Sequence, residues 1–280
     1  MKTVVVYANC QGRGLIYFMK KSSFFDDCVF EQVDNYQLLQ HQLDVPIDVF
    51  RRANILIYQP LHPRHGKYSQ ILSLVGSHCL VISFPYIYND ALWPIFPALL
   101  RELVIDGEEY PDVKTGSNGE TRVMSGFFNT IHDMLARGLS VDDVMETYAM
   151  DKMEFGLDER FAKTMSIQKT KEAMTDVKVA EFIETNITTQ KLFLSTNHPT
   201  SAIFVHCVNQ ILNILGAPEH LKLDACKFGE NETQLPGDIP ISRYIIKHFK
   251  LKWVEQEDAI SNDFYGNIVR SISSAASQTN

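Results

Sequence analysis

The chain has 280 residues, of which 45% are hydrophobic and 21% charged, so it can bury a core without disulfides or metals. A net charge of −8 does not favour a surface that follows nucleic-acid phosphates. Five scattered cysteines without a CxxC spacing argue against a disulfide framework and a zinc site. The sequence has neither a run of about 20 apolar residues for a membrane span nor a signal peptide, so we expect a cytoplasmic protein.

The first part of the chain is predicted to alternate between strands and helices. Thr3–Tyr7 is a β-branched strand, and a turn at residues 8–12 leads into a helix from Leu15 to about Lys21. Further strands are predicted at Cys28–Val33, Ala53–Gln59 and Cys79–Phe84. The last two are apolar along their length, which indicates a parallel sheet covered on both faces.

The second part is predicted to be mainly helical at first. Residues 86–186 form a mainly helical insertion, with helices at 126–137, 141–150 and 158–186 and a polar loop or small hairpin at 106–121. A fifth strand, Lys191–Thr196, and helices at Ser201–Leu215 and Ile241–Phe249 follow. We therefore predict one α/β domain over residues 1–280, a mostly parallel open sheet flanked by helices, with a disordered tail at 272–280.

Ligands of open parallel sheets bind beyond the carboxyl ends of the strands, so the residues after each strand are candidate site residues. They include a thiol, carboxamides and an imidazole, contributed by Asn9, Cys10, Gln59, Asn197 and His198. A nucleophile, hydrogen-bond donors for an oxyanion and a base are the groups that acyl transfer requires. The sequence therefore predicts an acyl-transfer site at this edge of the sheet.

Cys10 is the strongest candidate because it lies at the start of the first helix, where backbone amides and the helix dipole are expected to stabilise a thiolate. Gly12 and Gly14 are expected to let the backbone approach a ligand closely. The alternatives are structural: Cys10 could be a small buried hydrophobic residue, and His198 could cap the helix that follows it. Amides such as Asn9 could simply tie loops together.

A locally basic segment, His62–Tyr68, begins just after the third predicted strand. Its Arg64 and Lys67 could hold a phosphate or pyrophosphate at the same edge of the sheet. The alternative is a solvated loop with ordinary surface charges.

Four segments of the chain carry a resemblance to a known family: VVVYANCQG, NILIYQPL, KLFLSTNHPTSAIF and PGDIPISRYIIKHFKLKW. In this order and spacing they resemble the WcbI-like polysaccharide biosynthesis proteins. That resemblance, which spans most of the chain, implies a coenzyme A-binding acetyltransferase of capsule or surface-glycan assembly.

The layout is also similar to SGNH-type hydrolases and acyltransferases, whose sheet has a flavodoxin-like strand order. The resemblance implies that Cys10 replaces the nucleophilic serine, that Gln59 serves the oxyanion and that His198 is the base. One position departs from the SGNH pattern, because Ser195 stands where an aspartate is expected three residues before the histidine. Either Asp90 or another residue supplies the third member, or Cys10 and His198 act as a dyad.

The sequence thus predicts an acyl-CoA-dependent O-acetyltransferase that acts on a sugar or surface-polysaccharide precursor. The predicted catalytic residues are Cys10, His198, Gln59 and Asn9, and no metal is expected. Acetyl-CoA contacts are expected from Gln11, Gly12, Arg13, Arg64, Lys67, Tyr68 and Asn197. Two alternatives stay open: a thiol-dependent esterase or deacetylase of glycans, and a non-catalytic module that binds a nucleotide or glycan.

Overall fold

A computed structural model describes residues 1–89, 91–93, 113–115, 121–123, 134–149, 156–235, 239, 241–254 and 270. The chain forms two compact units. The first comprises Met1–Tyr88, Met165–Ile187 and Lys191–Asp238, and the second draws on residues 89–164, 188–190 and 239–280. Of the proposed 86–186 insertion, residues 89–164 belong to the second unit and residues 165–186 to the first, and the single domain over residues 1–280 stays a prediction. The predicted tail at 272–280 lies outside the described residues.

The centre of the first unit is a four-stranded parallel sheet. Its strands are β1 (Lys2–Ala8), β2 (Cys28–Asp34), β3 (Ile55–Tyr58) and β4 (Leu80–Ser83), in the order β2-β1-β3-β4. Residues 4–8 of β1 are completely buried, as expected for a strand covered on both faces. The predicted α/β class and open parallel sheet are confirmed, and the order reverses between β1 and β3, where such sheets bind ligands.

Eight α-helices are described from end to end, most within a few residues of the predicted bounds. They are α1 (Gln11–Met19), α2 (Asn35–Gln40), α3 (Ile47–Arg51), α4 (Val141–Ala149), α5 (Leu157–Glu172), α6 (Ala180–Asn186), α7 (Ser201–Ile214) and α8 (Arg243–Phe249). Short 3-10 helices occur at Ser23–Phe25, Pro63–Ser69, Ile71–Leu74, Glu219–Leu221 and Ala225–Lys227. Of the predicted helix at 126–137, only residues 134–137 are described, and 134–136 are helical. No described helix is both long enough and apolar enough to cross a membrane.

The prediction that Lys191–Thr196 forms a fifth strand of the parallel sheet is wrong. Its central residues form β7 (Phe193–Ser195), which pairs antiparallel with β8 (His198–Pro199) in a separate two-stranded hairpin. The end of β4 is bonded instead by a loop: the Asp176 carboxylate accepts a hydrogen bond from the Ser83 amide at 2.7 Å, and the Val177 amide donates to the Ser83 carbonyl at 3.0 Å. The loop satisfies the backbone groups to which another strand would bind there.

The second unit contains another hairpin, β5 (Val113–Thr115) with β6 (Thr121–Val123), within the region predicted as a loop or small hairpin. The start of α5 meets α8 through the Phe161 and Phe249 rings, whose centroids are 5.8 Å apart. The indole of Trp93 donates a hydrogen bond to the Ile239 carbonyl at 3.2 Å. These contacts stabilise the unit internally.

Two glycines of α1 allow close packing within the protein rather than the predicted approach to a ligand. A Cβ at Gly14 would lie 2.5 Å from the Phe204 ring of α7, and one at Gly12 would lie 3.1 Å from the Ala8 side chain of β1. The Phe204 ring is itself buried and stacks on Phe18 at 5.9 Å. The absence of side chains at these positions fixes how closely α1 approaches β1 and α7.

Replacing Gly14 with alanine should therefore destabilise the first unit. We expect Gly14→Ala to lower the free energy of unfolding by about 1–2 kcal/mol, because the clash with the confined Phe204 ring outweighs the gain in helix propensity. Urea denaturation provides the measurement. Gly229→Ala is the matched control, since a Cβ there meets nothing within 4 Å; equal unfolding midpoints for the two variants would contradict the prediction.

Candidate functional site

The turn between β1 and α1 places Cys10 at the point where the strand order reverses. Cys10 is the N-cap residue of α1 and has helical backbone angles. Asn9 shapes the turn, because its carbonyl accepts a hydrogen bond from the Gly12 amide at 2.9 Å and its Oδ1 accepts one from the Gln11 amide at 3.0 Å. Since Asn9 is buried, this geometry is held firmly and sets the position of the Cys10 side chain.

A buried pair of glutamine side chains supports this turn. Gln59, directly after β3, accepts a hydrogen bond from the Asn9 amide through its Oε1 at 2.9 Å. Its Nε2 donates to the Gln11 Oε1 at 3.0 Å and to the Pro85 carbonyl at 3.4 Å. The pair therefore connects the residues that follow β1, β3 and β4.

Gln11 extends this network to the loop that carries His198. The Gln11 Nε2 donates to the Asn197 carbonyl at 2.9 Å and to the Ile87 carbonyl at 2.6 Å, while its Oε1 also accepts from the Ile87 amide at 3.1 Å. The residues adjacent to Cys10 and His198 are thus hydrogen-bonded to each other. The structure brings the predicted nucleophile and base onto neighbouring loops, although His198 belongs to the β7–β8 hairpin and not to the sheet.

These hydrogen bonds correct three predicted roles. Both amide hydrogens of Gln59 are engaged, so the side chain has none left for an oxyanion. The Gln11 side chain is completely buried and saturated, and the Gly12 amide is used within the turn, so neither is placed to contact a cofactor as predicted. The Asn9 Nδ2 differs from these groups, because it donates to no described residue and is not sealed from solvent.

The electrostatic surroundings of Cys10 differ from the expected thiolate site. Burial raises the pKa of the thiol above its ordinary value, and the positive charge of Arg13 and the backbone amides of residues 10 and 11 only partly oppose this effect. Asp34, at the end of β2, raises the pKa further. The backbone amides at the helix start act in the expected direction, but the desolvation of the half-buried sulfur is the larger effect, so the pKa of Cys10 is raised on balance.

The described residues do not supply the aspartate that the SGNH pattern places three residues before the histidine. Ser195, in the position where SGNH proteins have an aspartate, is a buried residue of β7 that pairs in register with His198. Asp90, the proposed third member, lies outside the described residues. Within the described parts of the chain, no three His, Cys, Asp or Glu side chains are grouped as a metal site would require.

The basic segment forms the exposed 3-10 helix Pro63–Ser69 beyond the end of β3. Lys67 lies 2.9 Å from Asp44, but both side chains are at least half exposed, so this ion pair is weak. Burial, together with the charges of Arg64 and His62, lowers the pKa of His65, whose imidazole is therefore neutral at pH 7. Tyr68 is hydrogen-bonded within the protein: its hydroxyl donates to the Leu43 carbonyl, and its backbone carbonyl accepts from the Tyr7 hydroxyl.

Sequence reasoning missed Asp34, whose carboxylate accepts a hydrogen bond from Arg13 at 3.2 Å. The rule that examined the residues after each strand could have found it, since Asp34 is the last residue of β2. It also missed Ile87, whose backbone amide and carbonyl both bind Gln11. No sequence pattern marks a backbone contact of this kind.

The buried amide network should be essential for stability. In Gln11→Leu the backbone groups of Ile87 and Asn197 and the Gln59 amide lose partners in a dry environment, so we expect the free energy of unfolding to fall by about 2 kcal/mol or more. The matched control is Gln37→Leu, at an exposed position of α2, where a change within about 0.5 kcal/mol is expected. Guanidinium denaturation would contradict the prediction if both variants unfolded at the wild-type midpoint.

Comparison with known proteins relates this chain to a protein family and to a solved structure. Residues 3–220 match the family model described as polysaccharide biosynthesis enzyme WcbI. A solved structure of WcbI, described as a novel polysaccharide biosynthesis enzyme in its native form without a disulfide bond between CoA and one of its cysteines, is 16% identical with a TM-score of 0.67. The alignment covers 98% of this chain and 92% of that one. No curated protein matches the sequence.

Proposed function

Because this chain belongs to the WcbI family of polysaccharide biosynthesis enzymes, we propose that it transfers an acetyl group from acetyl-CoA to a hydroxyl of a sugar or surface-polysaccharide precursor. The observation that carries the proposal is the 2.9 Å hydrogen bond between the Gln11 side chain and the Asn197 carbonyl, which joins the Cys10 turn to the His198 loop. A thiol and an imidazole on adjoining loops suit acyl transfer.

In the proposed reaction the Cys10 sulfur is the nucleophile and His198 is the base. The thiol proton passes to His198, the sulfur bonds to the acetyl carbon, and the bond from that carbon to the CoA sulfur breaks as the leaving CoA thiolate takes the proton. In the second half the acceptor hydroxyl gives its proton to His198 and its oxygen bonds to the acetyl carbon. The bond from that carbon to the Cys10 sulfur then breaks, and the sulfur recovers the proton.

The raised pKa of Cys10 is consistent with this division of roles. A thiol that is protonated at neutral pH needs a partner to accept its proton, which is the role that we assign to His198. Because the two thioesters in the first half are chemically alike, no large driving force is needed to form the acetylated cysteine.

We propose Asn9 rather than Gln59 as the side chain that stabilises the oxyanion. The Asn9 Oδ1 is fixed by the Gln11 amide, which orients the carboxamide and leaves its Nδ2 as a donor beside Cys10. Preorganised donors of this kind act without the cost of reorienting during the reaction. Gln59 would then be a positioning residue that holds the Asn9 backbone.

The proposed site for the phosphates of CoA is the basic 3-10 helix, with Arg64 and Lys67 as the cationic contacts. Both side chains are exposed beyond the end of β3, beside the strand that precedes Cys10. Arg13, half exposed on α1, would lie nearer the sulfur. The solved WcbI structure, whose description names CoA together with a cysteine, supports CoA as the ligand.

Removing the nucleophile or the base should abolish acetyl transfer. We expect Cys10→Ala and His198→Ala each to lower the turnover of acetyl-CoA by at least about 100-fold, as measured by CoA release in the presence of glycan acceptors. Cys28→Ala, at the opposite end of the sheet, and His220→Ala, at an exposed position, are the matched controls. Near-normal turnover in the first two variants would reject the mechanism, and CoA release that is equally fast without an acceptor would identify a hydrolase.

Binding of CoA should depend on the basic 3-10 helix. CoA at about 100 times its Kd should stabilise the protein by about 2.7 kcal/mol, which a thermal-shift assay detects. We expect the double variant Arg64→Gln with Lys67→Gln to raise the Kd of CoA about tenfold or more, because charged hydrogen bonds to the phosphates are lost. Arg51→Gln, on the exposed end of α3, is the matched control; an unchanged Kd in the double variant would exclude this segment as the phosphate site.

A further inference from the structure

Asp34 and Arg13 form an ion pair beside the Cys10 turn. The Asp34 Oδ2 lies 3.2 Å from the Arg13 Nη2, and its Oδ1 accepts a hydrogen bond from the Gln32 side chain, so both carboxylate oxygens are engaged. The Asp34 side chain is only 16% exposed, whereas that of Arg13 is 51% exposed. The carboxylate is therefore the fixed member of the pair, and it determines where the long Arg13 side chain lies.

The sheet explains why this pair lies next to the thiol. Asp34 is in register with Ala8 of β1, two residues before Cys10, and Arg13 is one helical turn after Cys10 on α1. The Arg13 guanidinium on α1 and the Asp34 carboxylate on β2 thus act on the sulfur from different elements. Neither residue is the predicted base. Arg13 favours the thiolate, and Asp34 both neutralises Arg13 and disfavours the thiolate directly.

We propose that Asp34 is a positioning residue that holds Arg13 against β2, beside the Cys10 turn, and so limits how far the Arg13 charge activates the Cys10 sulfur. This inference rests on the proposed function, in which Cys10 is the nucleophile. It extends that function because it assigns the control of the nucleophile to a residue outside the proposed catalytic and phosphate-binding groups. A resting thiol reacts slowly with stray electrophiles and oxidants, so the pair would protect the enzyme between turnovers.

The groups that act on the thiol through their charge can be named element by element. Arg13 comes from α1 and Asp34 from β2, and Tyr36 of α2 acts on Arg13. The proposed base, His198, lies on the neighbouring loop that Gln11 contacts, and its assigned part is to accept the proton. A pH profile of the thiol therefore reports on this small set, and the contribution of the Asp34–Arg13 pair is obtained from single and double variants.

The test is the rate at which iodoacetamide alkylates Cys10 between pH 6 and pH 10, followed by mass spectrometry of the peptide that contains this residue. We expect Asp34→Asn to shift the profile down by about 0.5 pH unit, which gives about threefold faster alkylation at pH 7. Arg13→Gln should shift it upward, and the double variant should return close to wild type. Asp48→Asn, an exposed carboxylate of α3, is the matched control and should leave the profile unchanged.

The outcomes separate this inference from the proposed function. A profile that is unchanged in Asp34→Asn, or that shifts in the same direction in both single variants, overturns the inference even if Cys10→Ala is inactive. Retained acetyl transfer in Cys10→Ala overturns the proposed function while the shifts in alkylation still stand. Should Asp34→Asn fold poorly, the exposed Arg13→Gln variant is sufficient by itself, because an unchanged profile there also contradicts the inference.

Discussion

The Gln11 side chain is completely buried, and its carboxamide makes four hydrogen bonds on which the candidate site depends. Two of its partners belong to Ile87, one to Gln59 and one to Asn197. An unpaired amide or carbonyl at this depth costs several times more than a single exposed hydrogen bond contributes, so the loops are held to one arrangement. The relative positions of the Cys10 turn and the His198 loop are therefore set by Gln11, since the two segments do not pair in one sheet.

The glycines of α1 add a second constraint on the segments that the amide network joins. Gly12 lets the helix lie on β1, and Gly14 lets it lie on Phe204 of α7, the helix that directly follows the His198 loop. Close packing and buried polar contacts therefore constrain the same two segments. A site built in this way is rigid in its supporting layer, while the side chains of Cys10 and His198 are only partly buried.

The sequence predicted the fold better than the details of the site, and the reason differs from residue to residue. Strand and helix periodicity marked β1, β3, β4 and α7, and the strand-exit rule found Cys10 because local sequence determines where a strand ends. Periodicity did not distinguish a strand of the sheet from the hairpin at residues 193–199, since the same apolar run suits both. Nor did it show that burial outweighs the helix start at Cys10, because desolvation depends on neighbours that are distant in sequence.

The hydrogen bond between Gln11 and Asn197 joins residues 186 positions apart, which has a consequence for how the protein is made. During synthesis the partners of Gln11 at Gln59 and Ile87 leave the ribosome long before Asn197, and loops of such length close late. The Gln11 carboxamide lacks this one partner until residues 193–204 have been made, and only then are the Cys10 turn and the His198 loop joined. A nascent chain that stops short of this point has the Cys10 turn without the hydrogen bond that joins it to the His198 loop.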